Sequence, residues 1–250
     1  MNNHFTIMML GYNSAPWIRR CVESALGQKY KNFSVVAVDA ETNDGTYDIL
    51  KEYEKDPAFT LIRNKKRKYV NENICLAVDS MVNSNTIVAC LDFDDWLIDE
   101  NVLSTLNDVY DDETWMTYGN YVDYYSDDHI INHGALKKYS DEVVKNNAFK
   151  DDNWRASHLR TFRRKLFQKI NRESFKNPET NDWYEMAGDM ALMLPLLELA
   201  GDRFKFIETP LYCYNKNNPL SDDKVSVEKQ LRCEKMIRES KRYKRLEDLC

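Results

Sequence analysis

The sequence predicts an α/β fold around a mostly parallel sheet, and three observations carry that reading. Four short apolar runs precede residue 93, amphipathic stretches at helical spacing separate them, and three of the runs end at Asn13, Asp39 or the acids from Asp92. Near-continuous apolar strands between amphipathic helices imply a sheet covered on both faces, which binds ligands at the carboxyl ends of its strands.

Phe5 to Leu10 reads as the first strand. Gly11-Tyr12-Asn13 turns it into a helix capped by Ser14, with Pro16 in the first turn and Ile18, Cys21, Val22, Ala25 and Leu26 at helical spacing. Phe33 to Val38 is the second strand and closes on Asp39, after which Asn43-Asp44-Gly45-Thr46 opens a helix carrying Ile49, Leu50 and Tyr53. Phe59 to Ile62 is the third strand. A helix around Ile74, Ala77, Val78 and Met81 then leads to the fourth strand at Ile87. Beyond it the pattern is less regular: a strand at Trp115 to Tyr121, a tyrosine-rich polar stretch, and the segment Trp154 to Phe162. A helix opened by Asp189 contains Ala191, Leu192, Leu194, Leu197 and Leu199 and stops at Gly201. Strands at Phe204 to Ile207 and Leu211 to Tyr214 and a charged C-terminal helix complete the expectation.

Composition narrows the function. A formal net charge of -6 argues against a protein that reads nucleic acid by bulk electrostatics, and Lys65-Lys66-Arg67-Lys68 reads as a solvated turn or one facing an anionic ligand. The six cysteines are scattered without a Cys-x-x-Cys pair, as expected of reduced core thiols in a cytoplasmic protein. Met1 to His4 carry no basic-then-apolar leader, and no apolar stretch approaches the roughly 18 residues of a membrane span, so neither a signal peptide nor a span is expected.

The most informative segment is Ile87 to Trp96, an apolar strand ending in Asp92, Asp94 and Asp95. Clustered carboxylates repel and resist desolvation, which points to a bound divalent cation. Strand alternation would put Asp92 and Asp94 on one side and turn Phe93 into the core. Two carboxylates suit Mg2+ or Mn2+ with open positions for phosphate oxygens, hence a phosphorylated substrate. The competing reading is a solvated acidic turn ahead of the helix at Val102, Leu103, Leu106 and Val109.

Other residues carry paired readings. Asp39 is either a turn former or the acceptor for the N3–H of uracil. Asp189 is a helix cap, a general base for a hydroxyl, or both. His158 has a structural default, while at most one of Arg160, Arg163 and Arg164 is expected beside a diphosphate. Asn215 to Lys224 is an ordinary connection to the last helix for most of its residues or a segment of lid length, with Lys224 as its phosphate contact.

Taken together, the apolar strand then Tyr12-Asn13, Asp39 with Asp44-Gly45-Thr46, Leu91-Asp92-Phe93-Asp94-Asp95-Trp96-Leu97, and Gly188-Asp189 opening a helix resemble the family-2 glycosyltransferases of the GT-A fold. Leu211-Tyr212-x-Tyr214-Asn215-x-x-Asn218-Pro219 is similar to single-domain members. The resemblance runs from about Phe5 to about Lys224. It implies a catalytic domain over 1–224, with a nucleotide-binding half at 1–98 and an acceptor-binding half at 99–224, followed by a charged helix at 225–250.

It further implies metal-dependent inverting transfer of a sugar from a nucleotide-diphosphate donor, UDP-sugar by preference, to a hydroxyl acceptor. Tyr12, Asn13, Asp39, Asp92, Phe93, Arg160 and Lys224 would meet the nucleotide sugar, Asp92 and Asp94 the Mn2+ or Mg2+, and Asp189 would be the base. This chain departs from the family in placing Ala40 and then Glu41 where a second acid follows Asp39, and Gly188 where Glu is frequent. It has no Gln-x-x-Arg-Trp, which argues against a processive synthase. The alternatives are a haloacid dehalogenase-like phosphohydrolase, which would open on its Asp-x-Asp strand, and a sugar nucleotidyltransferase, which would need a glycine-rich N-terminal loop.

Overall fold

The first 92 residues build three βα units and a fourth strand: β1 (Phe5–Gly11), α1 (Ile18–Leu26), β2 (Phe33–Asp39), α2 (Thr46–Lys51), β3 (Phe59–Arg63), α3 (Val70–Ser80) and β4 (Ile87–Asp92). The computed structural model describes residues 2–125, 129–132, 136–220 and 222–249, without the side chains of Asn132, Asp222 and Asp223. The four strands pair in parallel in the order β3-β2-β1-β4. Their continuous apolar runs have a simple cause. Along β1, Phe5, Ile7 and Met9 enter one core while Met8 and Leu10 enter the other, and β2 and β4 divide their side chains the same way. Helices α1 and α2 cover one face and α3 the other.

The second half contains β5 (Trp96–Leu97), α4 (Val102–Val109), β6 (Met116–Tyr124), β7 (Ile130–Asn132), α5 (Asp141–Asn146), β8 (Thr161–Arg163), α6 (Arg164–Phe167), α7 (Gly188–Ala200), β9 (Phe204–Asn215), α8 (Asp222–Val225) and α9 (Val227–Glu239). Strand β8 joins β4 antiparallel, and the sheet continues through β6 and β9 to β5. Strand β5 follows β4 after a three-residue turn yet pairs with β9 at the far end of the path, so the sheet curls back on itself. That curl delivers the end of β9 to the end of β4. Almost every residue of α7 is buried, which makes it the central helix of the larger core.

Several boundaries differ from expectation. The sheet is parallel through β3-β2-β1-β4 and mixed beyond it. Helix α1 starts at Ile18, because the Ser14 carbonyl accepts from both Trp17 and Ile18 and closes a turn that contains Pro16. The two expected late strands are one strand, β9, which absorbs a register shift opposite Gly119 and Tyr121. The C-terminal helix ends at Glu239 and does not reach residue 250. Residues 240–249 have no regular secondary structure and lie on the core through Tyr243, Leu246 and Leu249. Beneath them the buried pair Lys150 Nζ and Glu198 Oε2 lies 3.7 Å apart.

Candidate active site

The carboxyl ends of β1, β2 and β3 form a cross-linked polar rim. Asn13, in the left-handed region at φ 49, accepts from Asn43 N at 3.1 Å. Asp44 accepts from Ala15 N at 2.9 Å and from the Thr46 hydroxyl at 2.6 Å, and Thr46 accepts from Ser14 N. Asp39 is fully buried: Oδ1 accepts from Thr42 N at 3.0 Å, and Oδ2 faces Arg63 Nε at 3.3 Å without a hydrogen bond. The basic run reaches the same rim, where Arg67 lies 4.1 Å over the Tyr12 ring.

The acidic cluster is a turn. Strand β4 ends at Asp92, and Asp95 N donates to Asp92 O at 3.1 Å, so alternation does not hold through Asp94. Phe93 is fully buried and lies so close to Gly11 that any side chain on Gly11 would collide with it. It floors the rim with its ring turned into the core, as strand alternation led one to expect.

Asp95 is fully buried, accepting from the Tyr212 hydroxyl at 2.6 Å and Asn215 N at 2.8 Å. Asp94 keeps some exposure and accepts from Asn218 Nδ2 at 2.7 Å. Burial pushes all three carboxyl pKa values up, Asp92 to about 6 against the pull of Arg160. Among the described residues, one group of three possible metal ligands comes together: Asp92, Asp95 and His158, with ligand atoms within 4.8 Å of one another.

Arg160, expected beside a diphosphate, spans two carboxylates. Its Nη2 donates to Asp92 Oδ2 at 3.2 Å, and its Nη1 lies 3.2 Å from Asp189 Oδ2. Burial works against its charge, but Asp92 and Asp189 outweigh burial and raise its pKa. Asp189 is not the residue that caps α7. Ala187, at φ 57, precedes the helix, so Asp189 sits within the first turn, and Oδ1 accepts from Met190 N at 2.8 Å. Gly188 explains its own departure from the family pattern. Its carbonyl accepts from Asn71 Nδ2 at 2.9 Å, and a Cβ there would meet Val70 Cγ1 at 2.0 Å.

His158 is buried and stacks on Tyr212, ring centroids 4.3 Å apart, while burial and then Arg160 hold its imidazole neutral. Lys224 donates to the carbonyls of Lys216 and Asn218, so its ammonium ties the expected lid segment to itself. Ser221 of that segment lies outside the described residues. Tyr212, Asn215 and Asn218 were missed as supports of the acidic turn. The Tyr-x-Tyr spacing at Tyr212 and Tyr214 was the available signal, since both rings stack on His158.

A family model described as Glycosyl transferase family 2 matches residues 6–171, which include the acidic turn and Arg160 and stop short of Asp189. The UDP-Glc:alpha-D-GlcNAc-diphosphoundecaprenol beta-1,3-glucosyltransferase WfaP of Escherichia coli is 28% identical over 146 residues, 54% of this chain and 55% of that protein. The chain thus spans about half the length of that relative. The S. aureus TarS 1-349 structure in complex with UDP superposes with a TM-score of 0.64 at 16% identity, covering 86% of this chain and 61% of that one. The mannosyltransferase PcManGT from Pyrobaculum calidifontis, in complex with GDP-Man and Mn2+, gives 0.54 at 16% identity over 88% of this chain and 59% of that one. At such identities the structural likeness speaks for the fold, which is GT-A.

Proposed function

We propose a reaction from one premise: the chain belongs to glycosyl transferase family 2 and is therefore a glycosyltransferase acting on a nucleotide sugar. The family also displaces the phosphohydrolase and nucleotidyltransferase alternatives. We read the donor as a UDP-sugar. The names of the E. coli relative and of the UDP-bound TarS structure support that choice, as does Asp39, whose Oδ2 is a buried acceptor without a hydrogen-bond donor, suited to a uracil N3–H.

The donor set fits a hard divalent cation. Three carboxylates pack at one turn with their pKa values pushed up, and one guanidinium already serves Asp92. Asp95 has both oxygens engaged in the core, so Asp92 and Asp94 would hold Mn2+ or Mg2+. When bound, the ion offsets charge developing on the departing diphosphate.

The acceptor hydroxyl attacks the anomeric carbon as that carbon's bond to the diphosphate oxygen breaks, and the hydroxyl proton passes to the Asp189 carboxylate. The observation that carries this reading is the meeting of Asp189 and Asp92 on one arginine, which sets a carboxylate from α7 beside the donor carboxylate of β4. Attack from the face opposite the diphosphate inverts the anomeric carbon, and positioning supplies most of the acceleration. Among the described residues no helix is long and apolar enough to cross a membrane. Five buried free thiols support a cytoplasmic setting, while the sixth, Cys250, lies outside the described residues.

Thermal-shift titration with a panel of nucleotide sugars, with and without Mn2+, tests the reading. UDP-sugars should stabilise the protein only when Mn2+ is present, and Asp94→Ala should erase that response while keeping the melting temperature of the free protein. Stabilisation by UDP that ignores both Mn2+ and Asp94 would remove the metal from the account.

A further inference from the structure

We propose that Arg160 is a positioning residue that couples the donor-side carboxylate Asp92 to the base Asp189 through one shared, buried charge. The inference rests on the glycosyl-transfer reading, in which those two carboxylates serve different substrates. Arg160 is 6% exposed. Its main chain is anchored where β8 pairs with β4: Cys90 N donates to Arg160 O at 3.0 Å, and the neighbouring Thr161 pairs with Ala89. The guanidinium is therefore fixed relative to the strand that ends in Asp92.

Asp189 comes from elsewhere. Helix α7 carries it, and the start of α7 is set by α3 through the Asn71 bond to Gly188 O. Two separately positioned elements thus meet on one planar fork, at 3.2 Å on each side. One positive charge cannot fully compensate two carboxylates, so each acid's share depends on what else the other one binds. A cation or donor group arriving at Asp92 changes the hold of Arg160 on Asp189, and by linkage Asp189 changes the affinity at Asp92. Lysine would supply the charge but not a fork able to reach both acids.

Titration of Mn2+ into the protein with UDP present, followed by calorimetry, tests the coupling through a double-mutant cycle. With Asp189 neutralised, the guanidinium bears on Asp92 alone and competes harder with the ion. Asp189→Asn should therefore weaken Mn2+–UDP binding by roughly fivefold or more, the lower edge of ordinary site-to-site coupling. Arg160→Met should tighten Mn2+ binding, and in that background Asp189→Asn should have little further effect. Plain Coulomb attraction acting without the bridge would instead leave the effect of Asp189→Asn equal in both backgrounds, and that result overturns the inference alone. If Arg160→Met does not fold, Arg160→Lys takes its place in the cycle and should likewise shrink the Asp189→Asn effect. Absence of Mn2+–UDP binding by the unaltered protein would overturn the donor reading, and the coupling with it.

Discussion

The parts of this molecule before and after the end of β4 are held together in different ways. From β1 to β3 consecutive strands pair across single βα connections, β4 returns to pair with β1, and the rim residues bond to one another, as Asp44 does with Ala15 and Thr46 and Asn64 with Asn73. Beyond β4 the important ties are few and long-range. Tyr212 reaches Asp95 across 117 residues, Asn218 reaches Asp94 across 124, and Asn71 reaches Gly188 across 117. The rim of β1 to β3 can be shaped by the βα units, whereas the meeting of Asp92 and Asp189 on Arg160 exists only once the whole chain has curled.

If that contrast is right, single changes at the long-range ties should cost more than their size suggests. The largest loss is expected at the buried pair under the C-terminal segment. Lys150→Met leaves the buried Glu198 without its ammonium partner and should cost about 3 kcal/mol at neutral pH by urea denaturation. The sign of its pH dependence follows from Glu198, whose folded pKa burial raises above the ordinary value. Stability linked to such a group is present below the unfolded pKa and is lost as pH rises through the folded one, so the deficit of Lys150→Met should shrink on acidification towards pH 5. A deficit independent of pH would mean that Glu198 is already neutral in the native protein.

Next comes Gly188→Ala, whose methyl would meet Val70 and push α7 away from α3, at about 2 kcal/mol. Its melting temperature should fall together with turnover, because Asp189 moves with the helix. The smallest of the three is Tyr212→Phe. It strips a donor from Asp95 and should cost about 1–2 kcal/mol. A Tyr212→Phe variant as stable as the parent would show that the curl does not depend on this tie.

The same contrast explains what the sequence made legible. The strands and helices up to Asp92 were readable because both sheet faces are buried, so each strand announces itself as an apolar run, and the strand ends place Asn13, Asp39 and Asp92 on one rim. The turn at Phe93 and Asp94 was not readable, since extended alternation and a turn fit the same letters and only the hydrogen bond from Asp95 to Asp92 decides between them. Asp189 looked like a helix cap because nothing in the sequence reveals that Ala187 adopts a left-handed conformation and caps the helix two residues earlier. Arg160 was legible as a cation near the site. Its partners were not, because they come from β4 and α7, which meet only in three dimensions.

The central claim is that the carboxylate brought in by α7 takes the acceptor's proton, and turnover by Asp189→Asn tests it most directly. UDP release from a UDP-sugar at saturating donor and Mn2+, with water or a glycan as acceptor, should fall by roughly 100-fold or more while the variant keeps its fold, because an amide accepts no proton at neutral pH. Near-normal UDP release by a folded Asp189→Asn protein would contradict the account and move the base to another carboxylate, with Glu185 and Asp182 the nearest upstream in sequence.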